Sequence, residues 1–409
     1  MSARPSTLYV SYDGLLEALG ESQVVGYIER LAVAYDITVI SFEKPADLSD
    51  GTRAVEMRAR LTGCGIRWVA LTYHKWPPAL STAFDICRGI TAALVWSLRT
   101  HGRIVHARGY VPALIALAVK SLRGTFLLFD MRGFWADEKL DAGHWQRTSR
   151  LYRVTKSCER RFFESADAIV SLTHAGVAEF PGLGYRIRPG IPVEVIPTCT
   201  DIARFTPGPK DASLEARLGL AGAQVLGCVG TMSNWYLREP MLRYVAFLLV
   251  HLPRLKVLVV TAEDQPALRA DAARCGVDLD RFVLTRAAFS DMPAYFRLMD
   301  VGMFFIKPVF SKKGSAATKL GEFLASGVPV VINDGVGDSG QIVRERHVGV
   351  VMNELTAASF AETLPRVSAL FDDQPIRARC REAGGALFDA VAGARAYHDI
   401  YDRMLGATR

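Results

Sequence analysis

Short runs of apolar and β-branched residues recur along the chain and alternate with segments of helical period. The first series is Leu8–Tyr12, Ile37–Phe42, Arg67–Leu71, Ile104–Ala107, Phe126–Phe129, Ala168–Leu172 and Val193–Ile196. Strands that alternate with helices predict a parallel sheet covered on both faces. Between the first two runs, Val24, Ile28, Leu31, Ala32 and Tyr35 recur at helical spacing and predict a crossover helix packed on that sheet. The pattern stops at Pro197–Lys210, where Pro197, Pro207, Gly208 and Pro209 predict a linker. It restarts with Val225–Val229, Val257–Val260, Phe282–Leu284, Val301–Ile306, Val328–Ile332 and Gly349–Met352. The expected fold class is therefore α/β, with two doubly wound parallel-sheet domains, 1–200 and 201–387, facing across a cleft. Ligands of open parallel sheets sit beyond the carboxyl ends of the strands, so the loops that follow strands carry the candidate chemistry.

Composition narrows this reading. Half of the 409 residues are apolar or aromatic and 22% are charged, which excludes a largely disordered chain. The apolar stretch Leu242–Val260 is broken by charged residues and Pro253, and Val111–Val119 is too short to cross a bilayer, so no transmembrane helix is predicted. Met1–Val10 lacks the order of charge, apolar core and cleavage site of a leader. A cytoplasmic location is expected, with the inner face of the membrane as a second setting. The seven cysteines show no Cys-x-x-Cys and no zinc-like spacing, and are expected to be reduced and mostly in the core. The net charge of +7 is uneven, with 24 Lys and Arg against 19 Asp and Glu over residues 1–200. A basic half suits an anionic acceptor or a membrane surface. Nucleic acid is not expected, because no Lys/Arg run or binding motif is present.

The densest chemistry lies at Lys307–Val331, KPVFSKKGSAATKLGEFLASGVPVV. A strand ending near Ile306 leads into a loop with Lys312, Lys313, Gly314 and Ser315, and a helix is predicted from Ala316 to Ser326 with Ser315 as its N-cap. The open N–H groups and dipole of such a helix favour an anion such as a pyrophosphate. Lys319 and Glu322, three apart, share one helix face. A cation near the phosphates and a carboxylate able to accept two hydrogen bonds from a ribose diol match the two ends of a nucleoside diphosphate. An isolated Lys-x-x-Glu is more often a routine surface pair.

This segment resembles the signature of the family 4 glycosyltransferases: a Ser-rich loop, then Lys-x-x-Glu, then small-x-Gly-x-Pro-Val. The resemblance implies the GT-B fold, two Rossmann-like domains, with a C-terminal helix of about 388–409 crossing back to the first. It implies that Glu322 takes the donor ribose, Lys319 the diphosphate, and the backbone around Gly314, Ser315 and Ala316 the transferred sugar. Many members carry a second glutamate eight positions before the ribose-binding one, and Gly314 stands there in this chain. Many also place Arg and Lys after a glycine equivalent to Gly230, where this chain has Thr231, Ser233, Asn234 and Trp235. The clamp charge is then expected from Lys312, Lys313, Lys319 and Arg132, with Trp235 either a flat wall for the donor or a core side chain. Ala287, in the Arg286–Phe289 loop, corresponds to the backbone reader of the base. Gly335–Gly340 matches GxGxxG only weakly and is expected to be a flexible loop lining the donor site.

In the first half, Asp13, Gly14 and Gly20 lie in a strand–helix loop that resembles the Asp-Gly-…-Gly-x-Ser-Gln opening of a bacterial subgroup. The string Asp130-Met-Arg132-Gly-Phe-Trp135-Ala-Asp-Glu138 resembles the same kind of subgroup, which serves polysaccharide and glycoconjugate synthesis. Asp130 and Arg132 are the expected catalytic residues with Lys319. Asp13, Gly14, Gly20, Arg108, Trp135 and Glu138 are the expected acceptor side, and His106 is similarly placed. An ion pair that merely orders the loop is the competing meaning of Asp130, Arg132 and Glu138.

The family implies retention of anomeric configuration, no metal and no cofactor other than the nucleotide-sugar donor substrate, passed to a glycan, lipid-linked or small-molecule acceptor. An inverting reaction would instead use Asp13, Glu17 or Asp130 as base. A sugar-nucleotide epimerase or hydrolase of the same fold, and a non-catalytic glycan-binding protein, are the alternatives.

Overall fold

The structure is a computed structural model that describes residues 4–406. Met1–Ala3, from the segment read above for a leader, and residues 407–409 of the expected returning helix lie outside the described residues. The chain forms two units, Met1–Pro197 with Ala390–Arg409, and Thr198–Asp389.

The first unit is a seven-stranded sheet of β1 (Ser6–Ser11), β2 (Asp36–Glu43), β3 (Arg67–Thr72), β4 (Ile104–Arg108), β5 (Phe126–Asp130), β6 (Ala168–Ser171) and β7 (Val193–Val195). Their order is β3-β2-β1-β4-β5-β6-β7 and every pair is parallel. The order reverses between β1 and β4, the place where doubly wound sheets bind ligands. Register there sets Ser11 beside Arg108 and Arg108 beside Asp130, which brings three strand ends level.

The second unit repeats the plan with β8 (Gln224–Val229), β9 (Leu255–Val260), β10 (Phe282–Thr285), β11 (Val301–Phe304), β12 (Val330–Asn333) and β13 (Gly349–Met352), in the order β10-β9-β8-β11-β12-β13. All thirteen expected runs are strands, and both sheets are parallel, as the unbroken apolar character of the runs required. One feature fixes the later site. Gly302 in β11 faces Phe323 so closely that a Cβ would lie 2.5 Å from the ring, so the helix Thr318–Ala325 beds directly on the sheet.

Several local expectations change. Val24, Ile28, Leu31, Ala32 and Tyr35 are buried as expected, but the crossover is built from Ala18–Gly20, a wide turn Glu21–Val25 and the helix Gly26–Leu31. The expected linker is not a loose tether. Arg381 donates to the carbonyls of Ile202 and Phe205, both at 2.8 Å, and Phe205 is buried in the second unit's core. Only Cys199, Cys228 and Cys380 of the seven cysteines are buried, while Cys64 and Cys87 are exposed, so most of them are not core residues. Contrary to the expectation of no transmembrane-like helix, one helix among the described residues, Pro78–Thr100, is long and apolar enough over Ala79–Thr100 to cross a membrane by length and composition. The helix Ala390–Gly406 belongs to the first unit and buries Ala394, Tyr397 and Tyr401 there, with Val391 exposed.

Candidate functional site

In the second unit the carboxyl ends of β8, β9 and β11 converge with the helix Thr318–Ala325. That helix starts two residues later than expected. Its N-cap is Ala317, without a side-chain cap, and Ser315 instead closes the tight turn Phe310–Gly314. The amides of Ala316, Ala317, Thr318 and Lys319 donate to no protein acceptor among the described residues, so the missing cap leaves four open donors. Thr198 holds the segment from outside, donating its hydroxyl to the carbonyl of Ala316 at 2.9 Å.

Lys319 and Glu322 project from this helix as the spacing predicted. The Lys319 ammonium donates to the carbonyl of Thr231 at 3.1 Å and lies 3.5 Å from the centre of the Tyr236 ring. Burial pulls its pKa down to about 7, against the attraction of Glu322 and Glu263. Glu322 is nine-tenths buried, its carboxylate keeps some access to solvent, and it accepts no hydrogen bond from any described residue. Burial pushes its pKa up to about 7, although Lys319 and Arg204 oppose the shift. A buried carboxylate without donors is costly, and the cost is relieved by a ligand that brings hydroxyls or by a proton. The two groups are therefore a poised pair near neutrality.

The floor of this site was only partly anticipated. Gly230, with φ of 76°, turns the chain under the Lys319 stem. Thr231 and Ser233 donate their hydroxyls to Glu263, and Met232 N and Arg238 add bonds of 3.2 and 3.0 Å to the same carboxylate. Partial burial opposes ionisation of Glu263, but these donors hold its pKa at about 2. Thr231 thus spends its side chain inside the protein and offers its backbone to Lys319. Trp235 is covered by the Lys312 ammonium, 3.8 Å from the ring centre, so it is half core and half platform for a cation. Tyr236 bridges to Ile306, and Asn333 clamps both backbone groups of Ile306 at 2.7 and 2.8 Å, which fixes the strand end from which the Lys312 turn departs. The Gly335–Gly340 loop is not a free flap. Gly337 N donates to the Lys312 carbonyl at 2.9 Å, and Gly335 N to the Asp334 carboxylate at 2.8 Å. Ala287 packs half-buried against the core beside Phe289, whose ring lies 4.1 Å below the Arg204 guanidinium.

Glu263, Tyr236, Asn333 and Arg204 were missed. Only the Tyr236 ring, next to an already suspected Trp235, carried a sequence signal. An acid or amide after a strand has no period, and its partners are distant in sequence.

In the first unit the strand ends bring four expected residues into one cluster. Arg108 lies 3.7 Å from Asp13 and 3.9 Å from Asp130, and Arg132 lies 3.7 Å from Asp130. Asp130 is fully buried and also accepts from Tyr397 at 3.0 Å, with His106 Nε2 at 3.4 Å. Burial alone would raise its pKa, but Arg132, His106 and Arg108 hold it low and ionised. Burial lowers the pKa of His106, whose Nδ1 pairs with the Tyr401 hydroxyl at 2.8 Å. Arg132 adopts φ of 55°, a conformation that packing must impose on a residue with a side chain. Asp130 Oδ1, Arg132 Nη1 and Arg108 Nε are all buried without a hydrogen-bond partner, so the charges face one another across gaps slightly too wide for direct bonds.

The glycine loop is accounted for internally. The Glu43 carboxylate accepts from Leu15 N and Leu16 N at 2.8 and 3.2 Å, a Cβ on Gly14 would strike that carboxylate, and one on Gly20 would strike the Gly14 carbonyl. These glycines let the chain close on Glu43, where a ligand had been expected. Trp135 contacts Tyr110, Trp145 and the Lys139 ammonium, and Glu138 lies on the same short helix, Trp135–Asp141.

Comparison with known proteins agrees with this layout. Residues 20–199 match the glycosyl transferase 4-like domain family, and residues 223–369 match glycosyl transferases group 1. Among curated proteins none matches in sequence. Similar solved structures include sucrose-phosphate synthase from Thermosynechococcus elongatus, at TM-score 0.75 and 16% identity, covering 99% of this chain and 100% of that one. HepE from Anabaena in complex with UDP and glucose is similar at TM-score 0.71 and 15% identity, covering 97% and 99%. The α,α-trehalose 6-phosphate synthase from Burkholderia multivorans is similar at TM-score 0.69 and 13% identity, covering all of both chains.

Proposed function

Because the chain belongs to the glycosyltransferases, with a 4-like domain followed by a group 1 domain, we propose that it carries a sugar from a nucleoside diphosphate to a hydroxyl acceptor with retention and without a metal. The observation that carries the donor half is Glu322: a nine-tenths buried carboxylate without a donor, one helical turn from Lys319 and four open amides. A ribose diol supplies the two hydroxyls the carboxylate lacks, and a diphosphate supplies acceptors for the amides and the ammonium. HepE, whose fold is similar, was solved with UDP and with UDP-glucose, which supports a nucleotide-sugar donor.

In this reading Lys319 gains a proton as the diphosphate arrives and stabilises the negative charge that grows on it as the glycosidic bond breaks. The acceptor hydroxyl attacks from the face the diphosphate leaves, and a diphosphate oxygen takes its proton. Gly314, Ser315 and Ala316 present backbone to the sugar, and Lys312 lends charge from its seat on Trp235. In the first unit, buried Asp130 holds Arg108 and Arg132 in place as a positioning residue, and Arg108, Asp13, Trp135 and Glu138 are assigned to the acceptor.

Donor turnover with an acceptor panel, followed by NMR of the product anomer, tests the proposal. The anomer should match the donor's, and Lys319→Ala should lower kcat roughly 100- to 1,000-fold, the scale for losing one preorganised donor to the developing charge. Full activity of Lys319→Ala, or an inverted product, overturns the mechanism. Donor turnover without any acceptor would favour the epimerase or hydrolase reading, a fold shared with a putative UDP-N-acetylglucosamine 2-epimerase from Listeria monocytogenes at TM-score 0.58.

A further inference from the structure

The helix Pro78–Thr100 is built inside out. Its buried positions Ser81, Asp85, Gly89, Ala93 and Ser97 fall on every fourth residue and are small or polar. A crossover helix ordinarily turns its large apolar side chains inward. Here the small ridge permits a close seat, since a Cβ on Gly89 would lie 2.4 Å from Ile115 of the neighbouring helix Tyr110–Arg123. Asp85 locks the seat by accepting from the Tyr12 hydroxyl at 3.1 Å and from His74 N at 3.0 Å.

The large apolar side chains point the other way. Trp76, just before the helix, is 81% exposed, Leu80 is 71% and Phe84 is 53%, and Val95 and Leu98 continue the stripe. A cluster of exposed large apolar side chains such as Trp76, Leu80 and Phe84 marks an interaction face. Its charge says which kind. From Met57 to Phe129 the sequence carries ten Lys and Arg and a single acid, the buried Asp85; Arg60, Arg67, Arg108 and Lys120 pair with acids from other segments, and Lys75, Arg88 and Arg99 stand on or beside the helix itself. Arg88 and Arg99 set their guanidinium groups over the Phe84 and Trp96 rings, with centroid distances of 5.7 and 5.5 Å, so positive charge borders the stripe, Arg88 also donating to the Thr72 carbonyl at 3.1 Å. An apolar strip rimmed by cations, on a segment without an exposed carboxylate, is complementary to a bilayer with an anionic surface. Insertion across the bilayer is excluded for the folded unit, because the helix joins β3 to β4 and is tied through Asp85 to the sheet.

We infer that the first unit docks on an anionic lipid bilayer through the outward face of this helix, with Trp76, Leu80 and Phe84 at the acyl boundary and Lys75, Arg88 and Arg99 at the headgroups. Tyr12, held by Asp85, precedes Asp13 of the charged cluster, so the docked edge borders the strand ends of the first unit.

The full chain sedimented with vesicles of phosphatidylcholine and phosphatidylglycerol, at about three to one, should bind roughly tenfold or more tightly than to phosphatidylcholine alone, and less tightly as salt rises. The variant Trp76→Ser/Leu80→Gln/Phe84→Gln should lose roughly 100-fold in vesicle affinity with an unchanged melting temperature, since all three side chains are exposed. As a check that needs no destabilised variant, brominated lipid should quench wild-type tryptophan fluorescence more than that of Trp76→Phe. Absence of binding to either vesicle, wild-type affinity in the triple variant, or a wild-type dimer that the triple variant dissociates without lipid binding would each overturn the assignment. A nucleotide-induced melting shift in the same samples reads the donor site independently.

Discussion

The two units present charge at their strand ends in opposite ways. In the second, Glu322 has no donor and Lys319 rests on a carbonyl and a ring, and burial drives both toward neutrality near pH 7. In the first, Asp130 is as deeply buried but stays ionised, because Arg132, His106, Arg108 and Tyr397 surround it. Burial alone does not mark a ligand site. What separates the two is that the protein surrounds Asp130 with cations and a tyrosine hydroxyl of its own, leaving only Oδ1 without a direct bond, whereas it offers Glu322 no donor at all. The Glu322 arrangement costs stability until a ligand comes, whereas the Asp130 cluster contributes order that no ligand is needed to secure.

The largest test of this contrast is Asp130→Ala. It strands two buried guanidinium groups and should cost about 3–5 kcal/mol of folding stability, read as a lower denaturation midpoint, with the nucleotide-induced melting shift retained. A fully stable variant would show that the cluster is not a structural centre.

Glu322→Ala should act the other way round. Affinity for a nucleoside diphosphate should fall roughly 30- to 100-fold, about 2–3 kcal/mol, measured by calorimetry, while the ligand-free chain is at least as stable as before. Glu322→Gln sharpens the point through pH. With its pKa raised from the ordinary 4.5 to about 7, folded Glu322 keeps a proton that the unfolded chain releases. The folded state then binds more protons, so this group's contribution to stability falls as pH rises from about 4.5 to 7, and the glutamine variant should lack that slope. A melting curve that responds to pH equally in both proteins would remove Glu322 from this role.

The smallest effect expected is that of Tyr397→Phe. It deletes one hydroxyl from Asp130 and should cost about 1–2 kcal/mol by denaturant titration, without touching nucleotide affinity.

Much of this was legible from the sequence. Thirteen apolar runs became thirteen strands, because a strand buried on both faces must be apolar throughout. Lys319 and Glu322 were readable because helical spacing fixes their relation locally. Asp13, Arg108, Asp130 and Arg132 were each suspected from their places after strands, but their meeting depends on sheet order and register, which no single segment encodes. Glu43 and Glu263 escaped notice for the same reason: each is a lone acid whose partners lie in another loop. Ser315 misled because a serine before an apolar helix normally caps it, and here the turn Phe310–Gly314 claims that residue first.

The helix Ala390–Gly406 also bears on how the protein is made. Tyr397 and Tyr401 supply partners to Asp130 and His106, yet they follow the whole second unit in the chain. During synthesis the sheet of the first unit emerges early and must wait, with its charged centre incomplete, until residues 198–389 have left the ribosome. The second unit can close as soon as it emerges. The unit translated first is thus the one finished last, and a chaperone that shields the nascent chain would find its longest-lived client surface beside His106 and Asp130.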